Sequence, residues 1–332
     1  MRIKNIKAVY AAGPGPMVKA VDDVSLNIRK GEVLGIAGES GCGKSTLAAV
    51  IALTARPPLY VKGGSMELDG DVIQFTEQVT PSADWHGKLV ALLPQRALNS
   101  LNPTARVRDF VVDVMRAHDP TIQPQEAIEA ARVRLKHLSL PPRVLDSYPH
   151  QLSGGMRQRT VAVISTLLDP KVLIADEPTS ALDVSSQKQL IELLKLLLEY
   201  EFITRVAYIT HDLPMLSNIA DRIAVMYAGK LVEVGDTEQI VSAPRHPYTH
   251  ALITSTLDPE PEIRHHRLEG IQGAPPDLRY PPPGCSFHPR CPLAMDICSR
   301  EAPPKIGTED HFAACWWVAQ QTKGETEKGA VR

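Results

Sequence analysis

GESGCGKST, residues 38–46, follows the nearly continuous apolar run EVLGIAG and precedes the apolar segment TLAAVIAL, so its glycines fall where a buried strand turns into a helix. Gly38, Gly41 and Gly43 free backbone amides to close on a triphosphate; the helix start adds a partial positive charge and Lys44 a full one. Ser45 is placed to ligate magnesium. Ser40, Cys42 and Thr46 complete the nucleotide-contacting stretch, with Cys42 read as a small filler. An α/β nucleotide-binding fold follows.

Two further strands should end beside that loop. KVLIADEP, residues 171–178, is apolar enough to be buried on both faces, and it delivers Asp176 and Glu177 to the carboxyl edge, where open parallel sheets bind ligands. Asp176 is placed to hold the magnesium shell, and Glu177, pointing elsewhere, to polarise the water that attacks the γ-phosphate. VAYITHD, residues 206–212, repeats the pattern with His211 at its tip, a sensor of the same phosphate. LSGGMRQR, residues 152–159, precedes the helical TVAVISTLL, so the amides of Ser153, Gly154 and Gly155 form a second anion-binding helix start with no lysine of its own.

Composition limits the rest. A chain of 332 residues with 43% apolar side chains can bury a large core, and 36 basic against 38 acidic residues leave no excess of charge to attract a nucleic acid. The start MRIKNIKAVY is not a secretion signal, and no run reaches the length needed to span a bilayer, so the chain is expected on the cytoplasmic side. RVRDFVVDVMRAH and QEAIEAARVRLKHLSL predict helices broken by Pro120, Pro124, Pro141 and Pro142. SSQKQLIELLKLLLEY predicts an amphipathic helix, and AVMYAGKLVEVG a hairpin turning at Ala228 and Gly229. From about residue 241 prolines crowd the chain, which predicts a loop-rich tail unable to build a large core unaided. Cys285, Cys291, Cys298 and Cys315 lie in it with five, six and sixteen residues between them. That spacing suits zinc poorly; an iron–sulfur cluster, zinc, and free or disulfide-bonded thiols all stay open.

GESGCGKST, Gln95 after an apolar strand, LSGGMRQR, ADEPTSALD and THD, in that order, resemble the ATP-binding cassette of ABC transporters over residues 1 to about 240. The resemblance implies a P-loop NTPase cassette, with a mostly parallel sheet, an antiparallel β part and a helical subdomain. Its core would comprise residues 1–95 and 161–240, its helical subdomain with the signature motif 96–160, and an extension 241–332. In that family two cassettes pair head to tail over ATP. It therefore implies that Ser153, Gly154, Gly155, Gln158 and Asp183 meet the partner's nucleotide, that Gln95 reaches magnesium and the attacking water, that His211 holds the γ-phosphate and that Tyr10 stacks on adenine. HPYTHAL followed by CSFHPRCPLAMDIC, with SLNP at 100–103, is similar to the ATPase subunits of dipeptide and oligopeptide importers, whose relatives carry nickel or oligosaccharides. That likeness implies a 4Fe-4S cluster on the four tail cysteines, with zinc as the alternative and a redox-regulatory tail as a variant reading. It also implies a second, paralogous ATPase subunit, two transmembrane permease subunits, an extracytoplasmic substrate-binding protein, and a place at the cytoplasmic face of the membrane. A soluble ABC protein of DNA repair would need a far longer insertion than the 56 residues between Gln95 and Leu152.

Overall fold

The computed structural model describes residues 1–329 apart from 12, 14, 77–84, 94–100, 180–182 and 256–269, with side chains to residue 322. Gln95 and the segment around it lie outside the described residues. The chain opens with β1 (Arg2–Tyr10) and β2 (Val18–Asn27), then β3 (Val33–Ala37), α1 (Lys44–Ile51), β4 (Leu59–Leu68), β5 (Asp71–Gln74) and β6 (Val90–Leu93). The helical insertion follows as α2 (Val107–His118), α3 (Pro124–His137) and α4 (Gly154–Ser165). The chain returns through β7 (Val172–Asp176), α5 (Val184–Glu199), β8 (Arg205–Ile209), α6 (Leu213–Leu216), β9 (Arg222–Tyr227) and β10 (Lys230–Asp236). The tail carries α7 (Thr237–Ser242), α8 (Pro247–Thr254), β11 (Lys305–Thr308), β12 (His311–Ala314) and α9 (Trp316–Gly329).

Two sheets organise these elements. One is antiparallel, in the order β2-β1-β4-β5; the other runs β11-β12-β10-β9-β3-β8-β7-β6 and is parallel from β9 to β6. Period-two alternation divides the side chains of its parallel strands between two cores. Val33, Leu173, Val206 and Ile223 pack toward the helices, with Val111, Leu135, Leu194 and Tyr248. Leu34, Val172, Ala207 and Ala224 pack toward α1 and the antiparallel sheet, with Leu47, Ile3 and Met66. Strands buried on both faces have no polar face to show, which is why the sequence reads them as unbroken apolar runs.

The hairpin between β9 and β10 turns at Ala228 and Gly229, both at positive φ (48° and 79°), the geometry of a two-residue turn whose twist matches its strands. What holds the proline-rich tail is the main sheet itself. β12 pairs antiparallel with the edge of β10 (Glu233 with Ala313, Val234 with Phe312), and β11 pairs with β12. A buried ionic group pins the junction. Arg222, 2% exposed, donates to Glu32 Oε1 (2.6 Å), Asp310 Oδ1 (3.0 Å) and the Asn27 carbonyl (2.7 Å). Prolines and loops do dominate residues 270–304, but the tail's two strands complete the sheet. Among the described residues no helix is long and apolar enough to cross a membrane.

Candidate nucleotide site

The loop from β3 into α1 is shaped by glycines that nothing else can replace. Gly43 has φ +108° and a Cβ there would stand 2.0 Å from the Ala20 carbonyl; at Gly38 (φ +151°) it would stand 2.3 Å from the Met226 carbonyl. Lys44, 4% exposed, turns its ammonium back into the loop and donates to the carbonyls of Gly38 (2.7 Å) and Glu39 (2.9 Å). A triphosphate would draw it off those carbonyls, exchanging two neutral acceptors for charged ones. Cys42 is buried against Gly38, and burial raises its thiol pKa despite Lys44, so it is packing and not a reactive group.

The two acidic residues take different stations. Asp176, at the end of β7, accepts from Ser45 Oγ at 3.1 Å, and burial, then repulsion by Glu177, raises its pKa. A half-buried carboxylate paired with one hydroxyl is a site that a divalent cation suits, so Ser45 and Asp176 fit magnesium. Glu177 has φ +44°, a strained backbone for a residue with a Cβ, held by its N–H donating to the Ile209 carbonyl at 2.8 Å. Past that bend the Glu177 carboxylate meets His211, whose Nδ1 lies 3.2 Å from Glu177 Oε1. The His211 side chain is 63% exposed, at the rim. Tyr10 hydrogen-bonds Thr46 across 3.3 Å. Tyr10, Val18, Ser40, Lys44, Ser45, Glu177 and Leu278 all line one cavity of about 230 Å³. Leu278 belongs to the tail, and nothing in the motifs marks it. A larger cavity of about 810 Å³ in the tail shares no lining residue with this one.

The second helix start faces outward. Ser153 caps α4, its Oγ accepting from Met156 N at 3.3 Å; Ser153 and Gly154 are exposed, and no atom stands within 4 Å of where a Gly154 Cβ would be. None of these residues lines the nucleotide cavity. Gln158 departs from its expected role: one turn into α4 it is 3% exposed and donates to the Pro178 carbonyl, so it braces α4 against the β7 end and is not offered to a partner. Asp183 caps α5, accepting from Ser186 N at 2.9 Å, and that bond lowers its pKa.

The four tail cysteines are Cys285, Cys291, Cys298 and Cys315. All four are free thiols, and among the described residues no three His, Cys, Asp or Glu side chains gather into a set that could hold a metal ion. Burial raises the pKa of Cys285, Cys315 and Cys291, the last to about 11, with neighbouring thiols adding to the effect.

Residues 21–180 match the family described as ABC transporter, and residues 232–298 the family described as oligopeptide/dipeptide transporter, C-terminal region. The dipeptide transport ATP-binding protein DppD of Caldanaerobacter subterraneus is 42% identical over 94% of this chain and 95% of its own. The oligopeptide transport ATP-binding protein OppD of Bacillus subtilis is 40% identical over 91% and 84%. A dimeric ATP-binding cassette solved in a post-hydrolysis state with ADP and phosphate superposes with a TM-score of 0.58 at 26% identity, covering 71% of this chain and 98% of that one. The cassette geometry, its tail strands and these matches place the chain in one family: it belongs to the ABC transporter ATP-binding subunits of the oligopeptide and dipeptide branch, and it is an ATPase.

Proposed function

We propose that the chain hydrolyses ATP to drive import of dipeptides or oligopeptides through separate membrane subunits. Ser45 and Asp176 would hold magnesium, which neutralises developing phosphate charge. Lys44 and the loop amides bind the triphosphate, Glu177 accepts the proton of the attacking water, and His211 orients Glu177 and reads the γ-phosphate. Gln95 is assigned to the same water by family resemblance. The observation that carries this reading is the Ser45–Asp176 and Glu177–His211 pairing around one cleft. Tyr10 is assigned to the adenine because it lines the cavity beside Val18.

A paralogous second cassette completes the site: the exposed start of α4, at Ser153, Gly154 and Gly155, is the half offered to the partner's nucleotide, with Asp183 near the seam. Residues 1–95 and 161–240 serve as the catalytic core, 96–160 as the coupling subdomain, and 241–332 as the extension. Two permease subunits and an extracytoplasmic binding protein supply path and substrate, and the chain sits at the cytoplasmic face. Co-purified with those subunits in proteoliposomes, the complex should take up labelled dipeptides only with ATP. Ser153→Arg should stop uptake while leaving ATP binding to the single chain intact. Uptake of nickel or an oligosaccharide instead of peptide would overturn the substrate assignment.

A 4Fe-4S cluster on Cys285, Cys291, Cys298 and Cys315 is a separate proposal. Its support is that Cys285 N donates to the Cys298 carbonyl at 2.8 Å and that the other three thiols lie near enough to Cys291 to help raise its pKa. Iron and sulfide assayed after anaerobic purification test it, and a full count of free thiols with no iron overturns it.

A further inference from the structure

We infer that Arg290, in the C-terminal extension, is a positioning residue for ATP binding: it neutralises and fixes Glu39, an acid inside the phosphate-binding loop. This rests on reading residues 38–46 as the triphosphate loop. The loop must gather several negative oxygens, yet its second residue is a carboxylate, 22% exposed. The Arg290 guanidinium meets both its oxygens, at 2.6 Å to Oε2 and 2.9 Å to Oε1, with 5% of the side chain exposed. Such two-point pairs fix orientation as well as charge.

The remaining donors of Arg290 are spent holding it still. Nε donates to the Gln272 carbonyl (2.9 Å), Nη2 reaches the Ile271 carbonyl (3.4 Å) and Nη1 the Tyr227 hydroxyl (3.3 Å). Glu39 is held from the backbone too. Its N–H donates to the hydroxyl of the fully buried Tyr248 at 2.8 Å, and its carbonyl accepts from Lys44 at 2.9 Å. The tail therefore sets the peptide that the lysine must leave when phosphate arrives. A second strap lies on the base side, where Lys19 N donates to the Leu278 carbonyl at 3.0 Å and the Leu278 side chain lines the cavity. Two segments of the extension thus bond to elements of the nucleotide site, Arg290 to Glu39 within the loop and Leu278 to Lys19 in β2.

The test is nucleotide titration of the purified full-length chain with Mg-ATP. Arg290→Gln leaves the Glu39 carboxylate without its counter-charge in the loop that must gather the phosphates and should weaken binding at least about tenfold. Adding Glu39→Gln to Arg290→Gln removes the repulsion and should restore affinity to within about threefold of the starting chain. In the assembled complex Arg290→Gln should raise the KM for ATP with kcat held within about twofold. Arg290→Gln binding as tightly as the unaltered chain, or a double variant that stays weak, overturns the inference. If Arg290→Gln does not fold, Glu39→Gln alone decides: it leaves a cation beside the loop and should tighten binding about threefold, and equal or weaker binding overturns the inference. An unaltered chain that fails to bind Mg-ATP would instead sink the underlying reading of the loop.

Discussion

Glu177 sits one residue past Asp176, yet the two carboxylates meet different partners, His211 and Ser45, because the backbone turns between them. The positive φ at Glu177 is what separates a carboxylate bonded to Ser45 from one facing His211. Glu177→Gln keeps shape and removes basicity, so it should cut ATP turnover of the assembled complex by about a hundredfold or more, with nucleotide binding retained. Asp176 carries a different liability. Burial disfavours its charge, so without metal Asp176→Asn should raise the melting temperature of the isolated chain by about 2 °C and abolish the further rise that magnesium and ATP bring. The placement of both acids at the carboxyl end of a buried strand was legible in the sequence, because an unbroken apolar run ends at them. The Glu177 bend was not legible, since any residue but glycine should avoid it. Nor was Arg290, 251 positions from Glu39: a cation among prolines carries no mark of its partner.

At the scale of elements, periodicity told the truth where burial is regular. The strands β3, β7 and β8, the helices α2 to α5 and the β9–β10 turn stand where apolar runs, leucine stripes and Ala-Gly predict them. The four-residue β11 and β12 escaped, because pieces so short gain their identity from the edge they pair with, not from their own pattern. Gln158 was misread for a similar reason: adjacency to a motif says nothing about which way a helix turn faces. The helix α8 makes a pH prediction. Its cap is His246, 1% exposed, whose Nδ1 accepts from Tyr248 N at 3.0 Å, and burial drops its pKa from 6.5 to about 4. The folded chain favours the neutral ring, so this contribution is whole above pH 6.5 and is lost as pH falls from there toward 4. Glu233, which accepts from His246 N, has a pKa raised by burial and so responds with the opposite sign. Comparison with His246→Asn, which keeps an acceptor but cannot titrate, isolates the histidine. Between pH 7 and 5 the parent's melting temperature should drop by about 3 °C more than the variant's.

Across the whole molecule the main sheet is shared property. The cassette supplies six of its strands and the tail supplies β11 and β12, with Arg222 buried at the join between Glu32 and Asp310. Arg222→Ala strands Glu32 without a counter-charge and should cost about 3–5 kcal/mol in chemical denaturation. Asp310→Ala removes only a partner that is one-third exposed and should cost about 1 kcal/mol or less. The joint also bears on engineering. Because β12 closes the β10 edge, a chain cut near residue 240 would present bare backbone and self-associate, and grafting this tail onto a distant cassette would fail unless strand register and the arginine's companions travelled with it. Swapping such extensions between transporters is thus less like exchanging a cap than like exchanging half of a zip.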